Sequence, residues 1–120
     1  MAEVEWKDGE PAQLALVLTT CPDGASAEAL AQVLLDNRLA ACVSISQDVI
    51  SHYTWQGKRE RTAERLLFIK TPPHLTRQLA RTIAENHPYE APEILLLCGQ
   101  SLSPAYNRWF GEVCLRENGG

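Results

Sequence analysis

Between residues 87 and 93 the chain reads His87-Pro88-Tyr89-Glu90-Ala91-Pro92-Glu93, an imidazole, a phenol and two carboxylates in one short segment. Imidazole and carboxylate groups hold metal ions or move protons. Each proline pushes the residue before it out of the helical region, so His87 and Ala91 are expected in extended or turn conformation. The polar groups therefore ride on a stiff connector, and such connectors often carry binding chemistry. The competing reading is a rigid helix-to-strand link whose polar groups bond only to backbone or to a neighbouring subunit.

Catalysis finds little support. Glu90 and Glu93 offer an acid/base pair, but no nucleophile with an activating base is identifiable. There is no Gly-rich phosphate loop. Cys21-Pro22-Asp23-Gly24 brings an acid where an acylphosphatase-like cradle needs an arginine. A non-enzymatic protein is expected.

The 120 residues suit one domain, and a net charge of −4 with mixed signs argues against a nucleic-acid footprint. Lys58-Arg59-Glu60-Arg61 is too short and too broken by acid to follow a phosphate backbone, and reads as a solvated hairpin tip. No apolar run approaches the roughly 18 residues of a membrane span, and the acidic start resembles no signal peptide. A cytoplasmic location with reduced thiols is expected. None of Cys21, Cys42, Cys98 and Cys114 is paired at CxxC spacing, so zinc-finger and thioredoxin motifs are absent. Cys42, Cys98 and Cys114 read as small buried hydrophobes. Cys21 stands at a strand end, where solvent or a ligand reaches it; structural burial is the alternative.

The positioning elements follow from periodicity. Residues 1–12 read as a loosely held tail, 13–115 as one domain and 116–120 as a second tail. Leu14 to Thr20 is a compact apolar run and predicts strand one. Asp23-Gly24 turns the chain, Ser26 is the expected N-cap, and Ala27, Leu30, Ala31 and Leu34 mark the buried side of helix one, ending near Asn37-Arg38. From Ala41 the period becomes two. Ala41, Val43, Ile45, Val49, Tyr53 and Trp55 share one parity in a long strand two, with a bulge expected near Gln47-Asp48 or Ile50. Gln56-Gly57-Lys58 begins a hairpin connection. Ala63 to Lys70 returns as strand three. Thr71 is the expected cap of helix two, with Pro72 at its first position and Leu75, Leu79 and Ile83 on its buried side. Ile94 to Cys98 predicts strand four. Ser103-Pro104 starts a short third helix with Tyr106, Trp109, Phe110 and Val113 as its apolar stripe. His52 and His74 read as surface groups. The order β-α-β-β-α-β plus a helix is that of an α+β, ferredoxin-like split β-α-β fold on an antiparallel sheet, with both main helices on one face.

That sheet is apolar on both faces. Leu16-Val17-Leu18, Leu66-Leu67-Phe68-Ile69 and Ile94-Leu95-Leu96-Leu97 show no alternation, whereas a sheet with one wet face should. Two helices cover one face, and a short third covers part of the other at best. Each large aliphatic left in water forgoes roughly 1.5–3 kcal/mol. Self-association that buries the second face is expected; a monomer closed by the third helix and the N-terminal tail is the alternative.

Five segments in order resemble the CutA family of divalent-cation tolerance proteins. They are Thr20-Cys21-Pro22-Asp23, Arg38-Leu39-Ala40-Ala41-Cys42-Val43, Tyr53-Thr54-Trp55-Gln56-Gly57-Lys58, Phe68-Ile69-Lys70-Thr71 and the His87–Glu93 segment. The resemblance spans residues 14 to about 115. It implies a ferredoxin-like subunit in a homotrimer, similar in outline to the PII signalling proteins, and a link to copper (Cu2+) or another divalent cation, with no organic cofactor. Some family members carry a cysteine two residues before Cys21, where this chain has Thr19. If the strand persists, Cys21 lies on the same face about 7 Å further on and is the candidate substitute for that ligand. The implied metal set is Cys21, His87, Glu90 and Glu93. Tyr53, Trp55, Glu64, Lys70 and Tyr89 match positions lining clefts between subunits. The expected function is divalent metal ion tolerance by a non-catalytic homotrimer, with no nucleic-acid or membrane partner. The alternative is a PII-like sensor, in which Lys70, Trp55 and Tyr89 hold an anion by charge and stacking.

Overall fold

The computed structural model describes residues 11–117. Its elements are β1 (Ala12–Cys21), α1 (Gly24–Asp36), β2 (Cys42–Trp55), β3 (Lys58–Thr71), a 3-10 turn (Pro73–Leu75), α2 (Thr76–Asn86), β4 (Leu95–Ser101) and α3 (Pro104–Val113). The strands form one antiparallel sheet in the order β2-β3-β1-β4. That is the expected ferredoxin-like arrangement, with the two central strands supplied by β1 and β3. β1 already includes Ala12, which the sequence reading placed in the tail; residues 1–10 and 118–120 lie outside the described residues. No helix among the described residues is long and apolar enough to cross a membrane.

One cluster forms the core. Val17, Leu67 and Ile69 from the sheet meet Ala27, Leu30 and Leu34 of α1 and Leu79 and Ile83 of α2. Phe110 and Cys114 bring the C-terminal part of α3 into the same cluster. Along β1, Ala15, Val17, Thr19 and Cys21 are buried and alternate with half-buried Leu16, Leu18 and Thr20. The pairs Leu16↔Lys70, Leu18↔Phe68 and Thr20↔Leu66 carry that second set across the face opposite the helices. Among the described residues no element shields the start of β4, and Leu95, Leu96 and Leu97 remain 50, 49 and 46% exposed. Cys98, expected to be buried, is exposed for the same reason, and Cys42 is half-buried.

Two caps differ from the sequence reading. Asp23, not Ser26, caps α1: its carboxylate accepts the Ser26 amide at 2.8 Å, while the Ser26 hydroxyl donates back to the Asp23 carbonyl at 3.1 Å. Asp and Ser are both good caps, and here the Asp23 carboxylate reaches the Ser26 amide. Thr71 caps nothing. It ends β3, and its buried hydroxyl donates to the Leu39 carbonyl at 2.7 Å, which needs a partner more than a solvent-exposed helix end does. The 3-10 turn takes the place expected for the start of α2. Ser103 does cap α3 through the Tyr106 amide.

The bulge in β2 lies between Ile45 and Asp48 and changes the meaning of the period. Ser46 and Gln47 of β2 face Leu66 alone there, so the parity of β2 inverts. Ile45 pairs with buried Leu67, but Val49 pairs with Glu64, Tyr53 with Glu60 and Trp55 with Lys58. Tyr53 and Trp55 therefore belong to the face away from the helices, although the sequence places them in register with Val43 and Ile45. The hairpin closes with Gln56 and Gly57 at φ of 52° and 81°, the two left-handed positions of a tight two-residue turn.

Candidate functional site

The connector from α2 to β4 folds across the end of β1 and the middle of β3. His87 terminates α2 in extended conformation, as the following proline requires. Its Nε2 lies 2.7 Å from the Thr20 carbonyl, and the Tyr89 amide donates to its Nδ1 at 3.0 Å. A carbonyl only accepts, so Nε2 carries the proton and Nδ1 is the acceptor. Both ring nitrogens are thus committed to backbone. The Cys21 sulfur sits 3.8 Å from Nε2 and is fully buried. Burial pushes the Cys21 thiol upward, against a partly compensating bond from Ser26.

Tyr89 follows, tilted against His87 with ring centroids 5.0 Å apart. Its hydroxyl donates to Glu64 Oε2 at 2.7 Å. Burial, then the bond to Glu64, raises the phenol well above its ordinary range. Glu64 is only 6% exposed although it lies on the sheet face opposite the helices. Among the described residues the ion pair formed is Arg65 with Asp48, at 2.8 Å, and it leaves Glu64 without a cation.

These groups open on a cleft of about 420 Å³, lined by Tyr53, Trp55 and Tyr89 and by Glu64, Glu90 and Glu93. That volume suits a small molecule. The arrangement brings together most of the residues the resemblance assigned to a cleft. Lys70 is the exception: its Nζ lies 3.9 Å from the Cys42 sulfur, paired across β1 and β2 away from the cleft lining. The four expected metal ligands divide. Cys21 and His87 touch one another behind the connector, while Glu90 and Glu93 face the cleft. Among the described residues no group of three or more His, Cys, Asp or Glu is placed to hold a metal ion. Cys21 and His87 as they stand do not fit copper: the imidazole has no free lone pair, and burial disfavours the thiolate. His52 and His74 are exposed, the latter with Nε2 2.9 Å from the Leu115 carbonyl.

Thr20 stands in one of the five segments that carry the resemblance but was given no site role. It lines the cleft and anchors His87 with its carbonyl. Its position at the end of β1, one residue before Cys21, was the available signal.

The profile described as CutA1 divalent ion tolerance protein matches residues 15–113. Protein CutA of Mus musculus is 34% identical over 103 residues, 86% of this chain and 58% of the mouse protein. The chain thus spans less than two thirds of that relative. The divalent-cation tolerance protein CutA of Thermus thermophilus is 38% identical over 105 residues, 88% of this chain and 97% of that protein. The crystal structure of CutA1 from Oryza sativa superposes with a TM-score of 0.84 at 31% identity, over 89% of this chain and 98% of the rice chain.

Proposed function

We propose, on the premise that the chain belongs to the CutA1 divalent ion tolerance family, that it serves divalent-cation tolerance as a non-catalytic homotrimer whose cleft is the ligand site. The observation that carries the trimer is the uncovered sheet. Leu16, Leu18, Leu66 and Phe68 share the face opposite the helices, and Leu95 and Leu97 extend it to an edge strand that is half exposed. A patch of this kind on an open edge invites pairing with further copies. Sedimentation equilibrium should return three times the 13.3 kDa chain mass at micromolar concentration. A single-chain mass would remove the reading.

Copper as a resident ion is the weaker part of this function. His87 would have to give up the Thr20 carbonyl, and Cys21 would have to ionise in a buried setting, before Cys21, His87, Glu90 and Glu93 could act together. The geometry supports tolerance without a stored Cu2+ ion. Equilibrium dialysis of chelator-stripped protein against Cu2+ should show no stoichiometric uptake that His87→Ala and Cys21→Ser abolish. Uptake lost in both variants would instead establish the copper site. A PII-like anion sensor is disfavoured by the three carboxylates of the cleft and by the distance of Lys70 from its lining. The four free cysteines suit the reducing conditions of a cytoplasmic protein.

A further inference from the structure

We infer, resting on the proposed homotrimer, that the acidic cleft is a composite site: the cationic face of one subunit's β2–β3 arm, carrying Arg59 and Arg61, supplies the missing wall of the next subunit's cleft and pairs there with Glu64, Glu90 and Glu93.

The arm begins where β1 stops. The pairing of β1 with β3 reaches only to Cys21↔Arg65. Beyond it, the seven pairs from Val49↔Glu64 to Trp55↔Lys58 form a ribbon with no third strand beside it among the described residues. A two-stranded ribbon is marginally stable at best in water. This one is largely exposed, with Ile50, Tyr53 and Trp55 all near half. Cross-strand partners share a face, so the arm has two faces of different character. Tyr53, Trp55, Glu60 and Glu64 lie on one, continuous with the outer sheet face, with Lys58 at its tip. Arg59 and Arg61 lie on the other, the latter opposite His52. Among the described residues neither arginine forms an ion pair.

The cleft presents the complementary charge. Glu64 is 6% exposed, accepts a hydrogen bond from Tyr89, and meets no cation among the described residues. Glu90 and Glu93 add two exposed carboxylates to the same lining. A buried carboxylate without a counter-charge marks an incomplete site. Its own arm does not complete it. Arg61 stands three residues from Glu64, about 10 Å along the strand, and projects from the opposite face. Complementary patches held apart in one chain can meet between two. Because the patches differ, the contact is head to tail, and a head-to-tail contact closes into a ring rather than a two-fold dimer. That agrees with three copies. Arginine suits the role, since its planar fork binds carboxylates through two parallel bonds and sheds water more readily than an ammonium.

Zero-length carbodiimide coupling tests the contact, because it joins an amine to a carboxylate only where the two already touch. The full chain carrying Arg59→Lys and Arg61→Lys is assembled from a mixture of 15N-labelled and unlabelled copies. The expected product is an amide bond from an introduced amine to Glu90 or Glu93, with mass spectrometry finding labelled peptides joined to unlabelled ones. Coupling confined to one chain, coupling of those carboxylates to Lys58 or Lys70 alone, or no coupling each overturns the inference. Charge reversal supplies the second measurement. Arg59→Glu with Arg61→Glu should weaken assembly about a hundredfold by sedimentation, as should Glu90→Lys with Glu93→Lys, because each sets like charges against one another. All four side chains are exposed in the subunit, so circular dichroism should stay unchanged. Combined in one chain, the four substitutions restore opposite charge at every contact and should recover assembly by at least about tenfold. A combined variant no better than either pair overturns the inference. The mass of the unaltered protein separates the two readings. A single-chain mass removes the proposed function and this inference with it, whereas an intact trimer without the bond between copies removes this inference alone.

Discussion

Tyr89 decides whether Glu64 can stay buried. The carboxylate lies on the outer sheet face, loses water under the connector, and keeps one strong donor, the Tyr89 hydroxyl at 2.7 Å. Tyr89→Phe removes that donor while preserving the ring against His87. Leaving the carboxylate unsatisfied should destabilise the fold by about 1–3 kcal/mol, measurable as a lower urea midpoint with an unchanged slope. A double variant with Glu64→Gln should recover part of the loss, since a neutral amide is cheaper to bury. The same neighbourhood fixes an alkaline limit. Burial raises the Cys21 thiol, the Cys114 thiol and the Tyr89 and Tyr106 phenols. Each has a folded value above its unfolded one, so each contributes stability that is complete below the unfolded value and is lost as pH rises toward the folded one. The window opens near the ordinary thiol value of 9.0 and continues past the ordinary phenol value of 10.0. Melting temperature should therefore fall steadily above about pH 9. Cys21→Ala with Cys114→Ala should delay the onset. At this scale the sequence exposed the cluster of His87, Tyr89, Glu90 and Glu93 but not its wiring. The bond from His87 to Thr20 spans 67 positions and is invisible to spacing.

Arg38 joins elements that are far apart in the chain. It follows α1 in the left-handed conformation, at φ 55°. From there its guanidinium reaches the end of α3, with Nε 3.2 Å from the Val113 carbonyl and Nη2 3.2 and 3.3 Å from those of Glu112 and Cys114. Its own carbonyl accepts the Leu115 amide at 2.9 Å. Those carbonyls are the orphan acceptors at a helix C-terminus, where a cation is favoured. Arg38→Ala should cost about 1.5 kcal/mol, the low end for charged hydrogen bonds because these are partly open to solvent. Arg38→Gly loses the same clamp but relieves the left-handed backbone, and should be less destabilising by about 0.5–1 kcal/mol. Amide exchange in the last turn of α3 should speed up in both. If only Arg38→Ala alters that exchange, the guanidinium is not the clamp. Element types and order were legible because period and proline placement are local signals. Caps were not. Asp23, Ser26 and Thr71 are all competent caps, and which one serves depends on where the buried Leu39 carbonyl finds its donor. The inverted register of Tyr53 and Trp55 was likewise hidden, because a bulge announces its neighbourhood in sequence but not its effect on parity.

The described residues leave one sheet face and the β4 edge without cover, and the sequence carried the open face plainly as strands apolar at both parities. What it could not carry is that β4 would be bare on both sides. Leu95 and Leu97 lie on the outer face opposite Leu18 and Leu16, while Leu96 sits beside Val17 on the helix side, yet all three are about half exposed. The helix face of β4 is therefore open as well, and a partner that only stacked on the outer face would leave Leu96 in water. The proposed assembly would engage the strand as an edge, with backbone pairing as well as side-chain burial. A charge placed on the outer face tests one contribution, and a blocked amide tests the other. Leu97→Asp should lower the assembled mass by burying an unpaired carboxylate. Cys98→Pro removes one backbone donor from a strand whose other side already pairs with β1 at Ala15. Should the Cys98 amide point outward, the substitution dissociates the assembly and leaves the subunit folded, as circular dichroism would show. Because assembly binds the folded chain and not the unfolded one, the wild-type melting temperature should also rise with protein concentration. A concentration-independent melt across a hundredfold dilution, with Leu97→Asp melting at the same temperature, would mean that the exposed strand is tolerated by a solitary subunit.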